Sequence, residues 1–133
     1  MISGKDLRIG NIIRCTHHLP IGFRVPLMIH SNVTEIREGM VGTGEGFYKF
    51  ADIVPIPLTV DILLKAGAKS ITETEYIISK IAEKDPDVYI LKDMNSFYLS
   101  IAQGGKYSIG VDYLHQLQNL YYVLTGRELN VNI

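Results

Sequence analysis

The chain has 133 residues, 47% of them hydrophobic and 20% charged, which is the composition of a folded domain and argues against extended disorder. Thirteen basic side chains face fourteen acidic ones, a formal charge of −1, so no bulk attraction to nucleic acid or anionic lipid is built in. The signs are not segregated either, since residues 1–57 carry 6 basic and 5 acidic groups and residues 58–133 carry 7 and 9. The single cysteine, Cys15, excludes an intramolecular disulfide and suits a reducing compartment. The first residues lack the basic-then-apolar order of a signal peptide. The longest uncharged run, the 14 residues from Tyr113 to Gly126, is too short and too polar to span a bilayer, so a cytoplasmic location without membrane contact is expected.

In chain order, Leu7 to Cys15 reads as a strand interrupted at Gly10, where a glycine marks a bulge or a close backbone approach. Thr16 to Arg24, with His17, His18, Pro20 and Gly22, reads as a loop at a sheet edge. Val25 to Ile36 is rich in β-branched and aliphatic residues and returns as one long strand or two short ones. Glycines 39, 42, 44 and 46 predict a mobile hairpin tip before a short strand, Phe47–Phe50. Residues 1–57 are thus expected to form a small antiparallel, barrel-like lobe of the SH3 type.

Ile53-Val-Pro-Ile-Pro-Leu58 is an extended connector, because each proline fixes its own φ and pushes the preceding residue away from helix. Its four aliphatic side chains suit packing better than a loose linker, so the two lobes are expected to form one folding unit. Thr59 caps a short helix with Asp61 in its first turn and Gly67 at its end. From Ser70 to Val111 the pattern has period two. Strands are expected around Tyr76–Ile81, Val88–Leu91, Phe97–Ile101 and Tyr107–Val111, with turns at Lys84-Asp-Pro-Asp87 and Gly104-Gly105.

The last helix is the best-marked element. Tyr113, Leu114, Leu117, Leu120, Tyr121 and Leu124 fall on one side of a 3.6-residue repeat, Asp112 is placed to cap the start, and Gly126 to close the end. Leu129, Val131 and Ile133 alternate with Asn130 and Asn132, the pattern of a half-buried closing strand. The expected class is therefore α+β. A barrel-like amino-terminal lobe packs on an α+β lobe, residues 58–133, whose β-meander is covered by the carboxy-terminal amphipathic helix and which ends in a strand.

Four stretches extend this reading by similarity. Tyr113–Leu129, with Asp6–Asn11, Pro55–Thr59 and Ile62–Gly67, resembles recurring segments of an uncharacterised family of small proteins from Bacteroides-type bacteria and their phages. The resemblance implies a bacterial or phage-borne setting. It brings no activity, cofactor or catalytic residue with it, and it does not reach Thr16–Gly46.

Candidate chemistry is sparse. Cys15 and His17 are two apart and share a strand face, so with His30 on the next strand they could form a sulfur–nitrogen metal set, but the spacing fits no familiar zinc pattern and a buried thiol beside two loop histidines is the preferred reading. Gly42-Thr-Gly-Glu-Gly46 lacks the Lys-Ser/Thr and the following helix that a phosphate loop needs. Glu73, Glu75, Asp85 and Asp87 read as solvated turn charges, and no triad-like or nucleophile-elbow motif appears. Enzyme activity and a cofactor are therefore not expected. Tyr89 and Tyr98 form a possible contact platform on one sheet face.

The expected role is a non-catalytic accessory protein that binds a protein partner or a second copy of itself. His115, Gln118, Asn119 and Tyr122 carry that reading: they lie side by side on the helix, rich in donors and acceptors but without a full charge. Cover by another part of the chain is the alternative explanation for such a face. A second functional reading is nucleic-acid binding by the amino-terminal lobe through Arg8, Arg14, Arg24, Lys49 and Tyr48, with Phe23 and Phe47 interleaved. A small metal-dependent enzyme is the third.

Overall fold

The computed structural model describes residues 7–17, 27–102 and 108–133. The chain divides into two compact units, Met1–Ile56 and Pro57–Ile133, with the boundary inside the proline-containing connector. Each unit holds one five-stranded antiparallel sheet, and the main helix belongs to the second. The expected turn at Gly104-Gly105, the strand start at Tyr107, and His18, Phe23 and Arg24 lie outside the described residues.

In the first unit the strands are β1 (Ile12–His17), β2 (Leu27–Arg37), β3 (Met40–Thr43), β4 (Gly46–Lys49) and β5 (Ile53–Val54), in the order β4-β3-β2-β1-β5. A single 3-10 turn, Phe50–Asp52, precedes β5. The sheet is not closed into a barrel, because β4 and β5 are both outer strands. Strand β2 is long enough to serve both halves, pairing β1 along its first part and β3 from Val33 onward, with a register shift between Val33 and Glu35. The inward residues form a small core of Leu7, Ile13, Cys15, Val33, Val41, Tyr48 and Ile53, flanked by Ile36 and Phe50.

The start of β1 departs from the expectation, since Gly10 belongs to a turn before the strand. Asn11 N–H donates to the Arg8 carbonyl, the Asn11 Oδ1 accepts from Arg8 N–H at 2.7 Å, and Gly10 takes φ +99°. Gly10 N–H then donates to the Val33 carbonyl, and Val33 N–H to that of Asn11, so the turn is stitched onto β2. The glycine-rich stretch is not one mobile tip either. Gly39 sits in the β2–β3 turn, Gly44 and Gly46 bound the β3–β4 turn, and Gly42 lies within β3 opposite Phe47.

In the second unit, helix α1 (Val60–Lys65) starts where Thr59 Oγ1 accepts from Ile62 N–H at 3.2 Å. It ends in a Schellman closure: Ala68 N–H donates to the Leu63 carbonyl and Gly67 N–H to that of Leu64, with Gly67 at φ +89°. The sheet follows as β6 (Lys69–Thr72), β7 (Glu75–Ile78), β8 (Val88–Asp93), β9 (Ser96–Ser100) and β10 (Ile109–Val111), a meander with order β10-β9-β8-β7-β6. It has one strand more than the periodicity indicates. Every side chain of β6 is exposed, so that strand carries no hydrophobic alternation to read. Tyr76, Ile78, Val88, Ile90, Phe97, Leu99 and Val111 are buried, while Ile101 falls beyond β9 and is 54% exposed.

Helix α2 (Leu114–Thr125) is capped at both ends, but not by the residue expected at its start. The Gln116 amide oxygen folds back to accept from Tyr113 N–H at 3.1 Å and Asp112 N–H at 2.8 Å, which is the reciprocal half of a capping box. Gly126 takes φ +72° and donates to the Tyr122 carbonyl, as its position indicates. Burial of Leu114, Leu117 and Tyr121 stabilises the unit by about 1.5–3 kcal/mol per side chain. The start of the unit is tied to this helix by Leu58 N–H donating to the Asp112 carbonyl and by a bridge between Pro57 and Tyr113.

The expected closing strand does not form. Leu129 is buried, but the segment 129–133 enters no ladder; Asn132 N–H donates to the Lys65 carbonyl at the end of α1 and Ile133 N–H to that of Val131. Alternation without an adjacent strand edge leaves an extended segment and no sheet.

Candidate functional site

The second unit contains a cleft of about 320 Å³, at the small end of the roughly 300–1,000 Å³ typical of ligand pockets. Its walls come from four places: Ala66 and Gly67 at the closure of α1, Lys69 and Ile78 on the β6–β7 hairpin, Ser79 and Ile81 just beyond it, and Tyr121 of α2 with the tail Glu128–Asn130. The Schellman turn is what allows Lys69 to start β6 directly after α1, and the Gly126 cap turns the chain so that Leu129 and Asn130 return past the same place.

The wall beyond β7 has no regular secondary structure and is held by two carboxylates. Asp87 Oδ1 accepts from Lys80 N–H at 2.8 Å, and Asp85 Oδ2 accepts from Ala82 N–H at 3.2 Å and from Arg127 Nε at 2.7 Å. The Asp85 side chain is 7% exposed and that of Arg127 41%. The hydrogen bond from Arg127 is the main reason the Asp85 carboxyl is held below its ordinary range. Burial, reinforced by Asp85, pushes the Tyr121 phenol above its ordinary value, so it is neutral at physiological pH. Sequence reading treats Asp85 and Asp87 as solvated turn charges; their spacing carries no sign of Arg127, 42 residues away from Asp85.

The four helix residues proposed from the sequence divide between interior and surface. His115 and Gln118 are buried, at 4% and 1% exposure, Asn119 is half-buried, and Tyr122 is 42% exposed. The His115 ring stacks on Tyr113 with centroids 6.0 Å apart. The buried sector of α2 is therefore turned toward the polar side, and Leu120 and Leu124, expected in the core stripe, are only half-buried. Val123, at 78% exposed, joins Tyr122 on the open side.

The metal set is not assembled by the strands. Cys15 pairs with Ile29 and is fully buried, whereas His30 pairs with Arg14 and is exposed, so period two puts Cys15 and His30 on opposite faces of the sheet; the side chain of His17 is not among those described. Among the described residues no group of three ligand-type side chains converges. Burial, with a contribution from Glu45, raises the Cys15 thiol to about 11, which makes it an unreactive core residue.

Of the basic set, Arg24 lies outside the described residues. Tyr48 points into the core, and burial raises its phenol, while its neighbour Lys49 is exposed on the other face; Arg14 is half-buried on β1 and Arg8 is in the turn before it. The cation the sequence reading missed is Arg37, whose guanidinium lies 4.7 Å above the Phe47 ring and whose Nε donates to Glu35 at 2.6 Å. That pairing leaves its charge already offset.

Two other groupings have local roles. Glu45, in the β3–β4 turn, accepts from Ser31 Oγ and from Thr43 Oγ1, with Ser31 and Thr43 both buried, which closes the polar end of the first core. On the second sheet Tyr89 and Tyr98 are diagonal neighbours and half-buried, Tyr98 lying over Gly110. No family model matches the chain, and comparison with curated proteins and with solved structures gives no match.

Proposed function

We propose that this is a non-catalytic accessory protein that binds a protein partner, making contact through the second unit around Tyr122. The observation that carries the reading is the exposure of Tyr122 and Val123, at 42% and 78%, on a helix with no Asp, Glu, Lys or Arg from Tyr113 to Gly126. A helix surface facing only water ordinarily carries charge, and aromatic side chains with uncharged neighbours are the composition of interface centres. Asn119 flanks Tyr122, while buried His115 and Gln118 fix the helix beneath it. The bacterial or phage setting is supported by the resemblance of the closing segment, and a cytoplasmic one by the lone buried cysteine. Among the described residues no helix is long and apolar enough to cross a membrane. An SH3-like reading of the first unit is supported by the order β4-β3-β2-β1-β5 with a 3-10 turn before the last strand.

The test is affinity purification of the tagged chain from a bacterial host, with the double variant Tyr122→Ala, Asn119→Ala beside it. Loss of a stoichiometric partner with an unchanged melting temperature is expected. A double variant that keeps its stability and every co-purifying protein ends the Tyr122 reading. Nucleic-acid binding is the competing outcome; it would show as salt-resistant retention of RNA or single-stranded DNA.

A further inference from the structure

Two stretches of backbone reach the cleft of the second unit, Lys69 at the start of β6 and the tail Leu129–Asn130. On one side β6 is the outermost strand of its sheet, so its main-chain groups directed away from β7 have no ladder partner among the described residues. On the other, the N–H groups of Leu129, Asn130 and Val131 and the carbonyls of Leu129 and Asn130 make no backbone hydrogen bond among the described residues, although Leu129–Asn130 forms a wall of the cleft. Ala66, Ile78, Ile81 and Leu129 supply apolar lining between them. Lys69 stands at the same wall, exposed, with no ion-pair partner among the described residues.

We propose that this cleft is a peptide-binding groove that takes a short extended segment of a partner protein, bearing an aliphatic side chain with an acidic residue beside it. The proposal rests on the partner-binding reading above and supplies the chemistry of the bound segment. The tail N–H and C=O groups, which make no backbone hydrogen bond among the described residues, are satisfied by a ligand that is itself backbone, which favours an extended chain over a small apolar molecule. The aliphatic side chain occupies the apolar lining, and the acidic neighbour meets Lys69, which has no ion-pair partner among the described residues, although Glu128 lines the same cleft. Strand β6 is only four residues long and shifts register between Ser70 and Thr72, and Ser70 Oγ already donates to the Thr72 carbonyl. Those features shorten the usable edge and disfavour continuous sheet pairing between two copies, so a segment of a few residues is the fitting occupant.

The test is selection of a displayed random nonapeptide library on the full-length chain, followed by titration of the enriched peptides into ¹⁵N-labelled protein. The expected result is enrichment of an aliphatic residue next to Asp or Glu, shifts of the amides of 69–72 and 129–131, and affinity about ten-fold weaker for Lys69→Glu. Because Lys69 is exposed, that variant keeps the fold, and the melting temperature verifies it. Peptides that bind but shift other amides, or that bind Lys69→Glu equally well, overturn the groove and leave partner binding standing. No enriched peptide overturns the groove as well; the partner-binding reading then falls only if Tyr122→Ala, Asn119→Ala also keeps every co-purifying protein.

Discussion

Arg127 Nε donates to the Asp85 carboxylate at 2.7 Å, joining residues 42 positions apart and fixing the segment after β7 to the residue that follows the α2 cap. Ile81 and Glu128, near them in the chain, line the cleft. A surface ion pair of this kind usually contributes little, but here the carboxylate is buried and also holds Ala82 N–H, so its loss would release a wall of the cleft.

The Asp85 carboxyl is lowered on folding, which sets the sign of its pH dependence. Its contribution is present above the unfolded value of about 3.9 and is lost as pH falls through the lower folded value. Asp85→Asn is therefore expected to lower the melting temperature at pH 7 and to flatten the fall in stability as pH drops below about 4. Parallel melting-temperature curves for the two proteins across that range would show the bridge to be idle in solution.

Cys15 carries the opposite sign. Its thiol is raised to about 11, so the stability tied to a neutral buried thiol is complete below the unfolded value, about 8.5–9, and is lost as pH climbs toward 11. At pH 8 the folded chain should react with iodoacetamide at least ten-fold more slowly than the chain in denaturant. Equal rates would place the thiol at the surface and remove it from the core of Ile13, Val33 and Val41.

Gly42 is needed for a close approach. A Cβ there would lie 2.9 Å from Cε1 of Phe47 and 3.1 Å from Cβ of Glu35, so Gly42→Ala is expected to push the Phe47 ring away from Arg37. The ring is half-exposed and free to swing, which limits the cost to about 1 kcal/mol. The readout is the ring-current shift on the Arg37 side-chain protons, which should disappear; an unchanged shift refutes the packing.

Two turn positions should respond with opposite signs. Met94, 88% exposed at φ +56° in the β8–β9 turn, is the only non-glycine residue with positive φ among those described, and Met94→Gly is expected to raise stability by about 0.5–1 kcal/mol. Gly126→Val forces a β-branched residue into φ +72° and should cost about 1 kcal/mol or more. Thermal unfolding of both variants checks the pair, and the same sign for both would mean that left-handed strain is not what these positions feel.

What the sequence by itself determined is local: where α1 begins and ends, that Gly126 closes α2, and that Val88–Leu91 and Phe97–Leu99 run as neighbouring strands. Those features depend on hydrogen bonds and side-chain alternation within a few residues, so a cap, a left-handed glycine or a period of two is written in adjacent letters. The tertiary structure alone decided which side of α2 is buried, because placing Gln118 and His115 inside requires surroundings that helical periodicity cannot name. It decided as well that exposed Lys69–Thr72 forms a strand while alternating Leu129–Ile133 does not, since a strand exists only where a neighbouring edge is in reach. The cleft belongs to the same class: Lys69, Ile78, Tyr121 and Leu129 are dispersed in sequence, and only the closure of α1, the α2 cap and the Asp85–Arg127 bond bring them to one place.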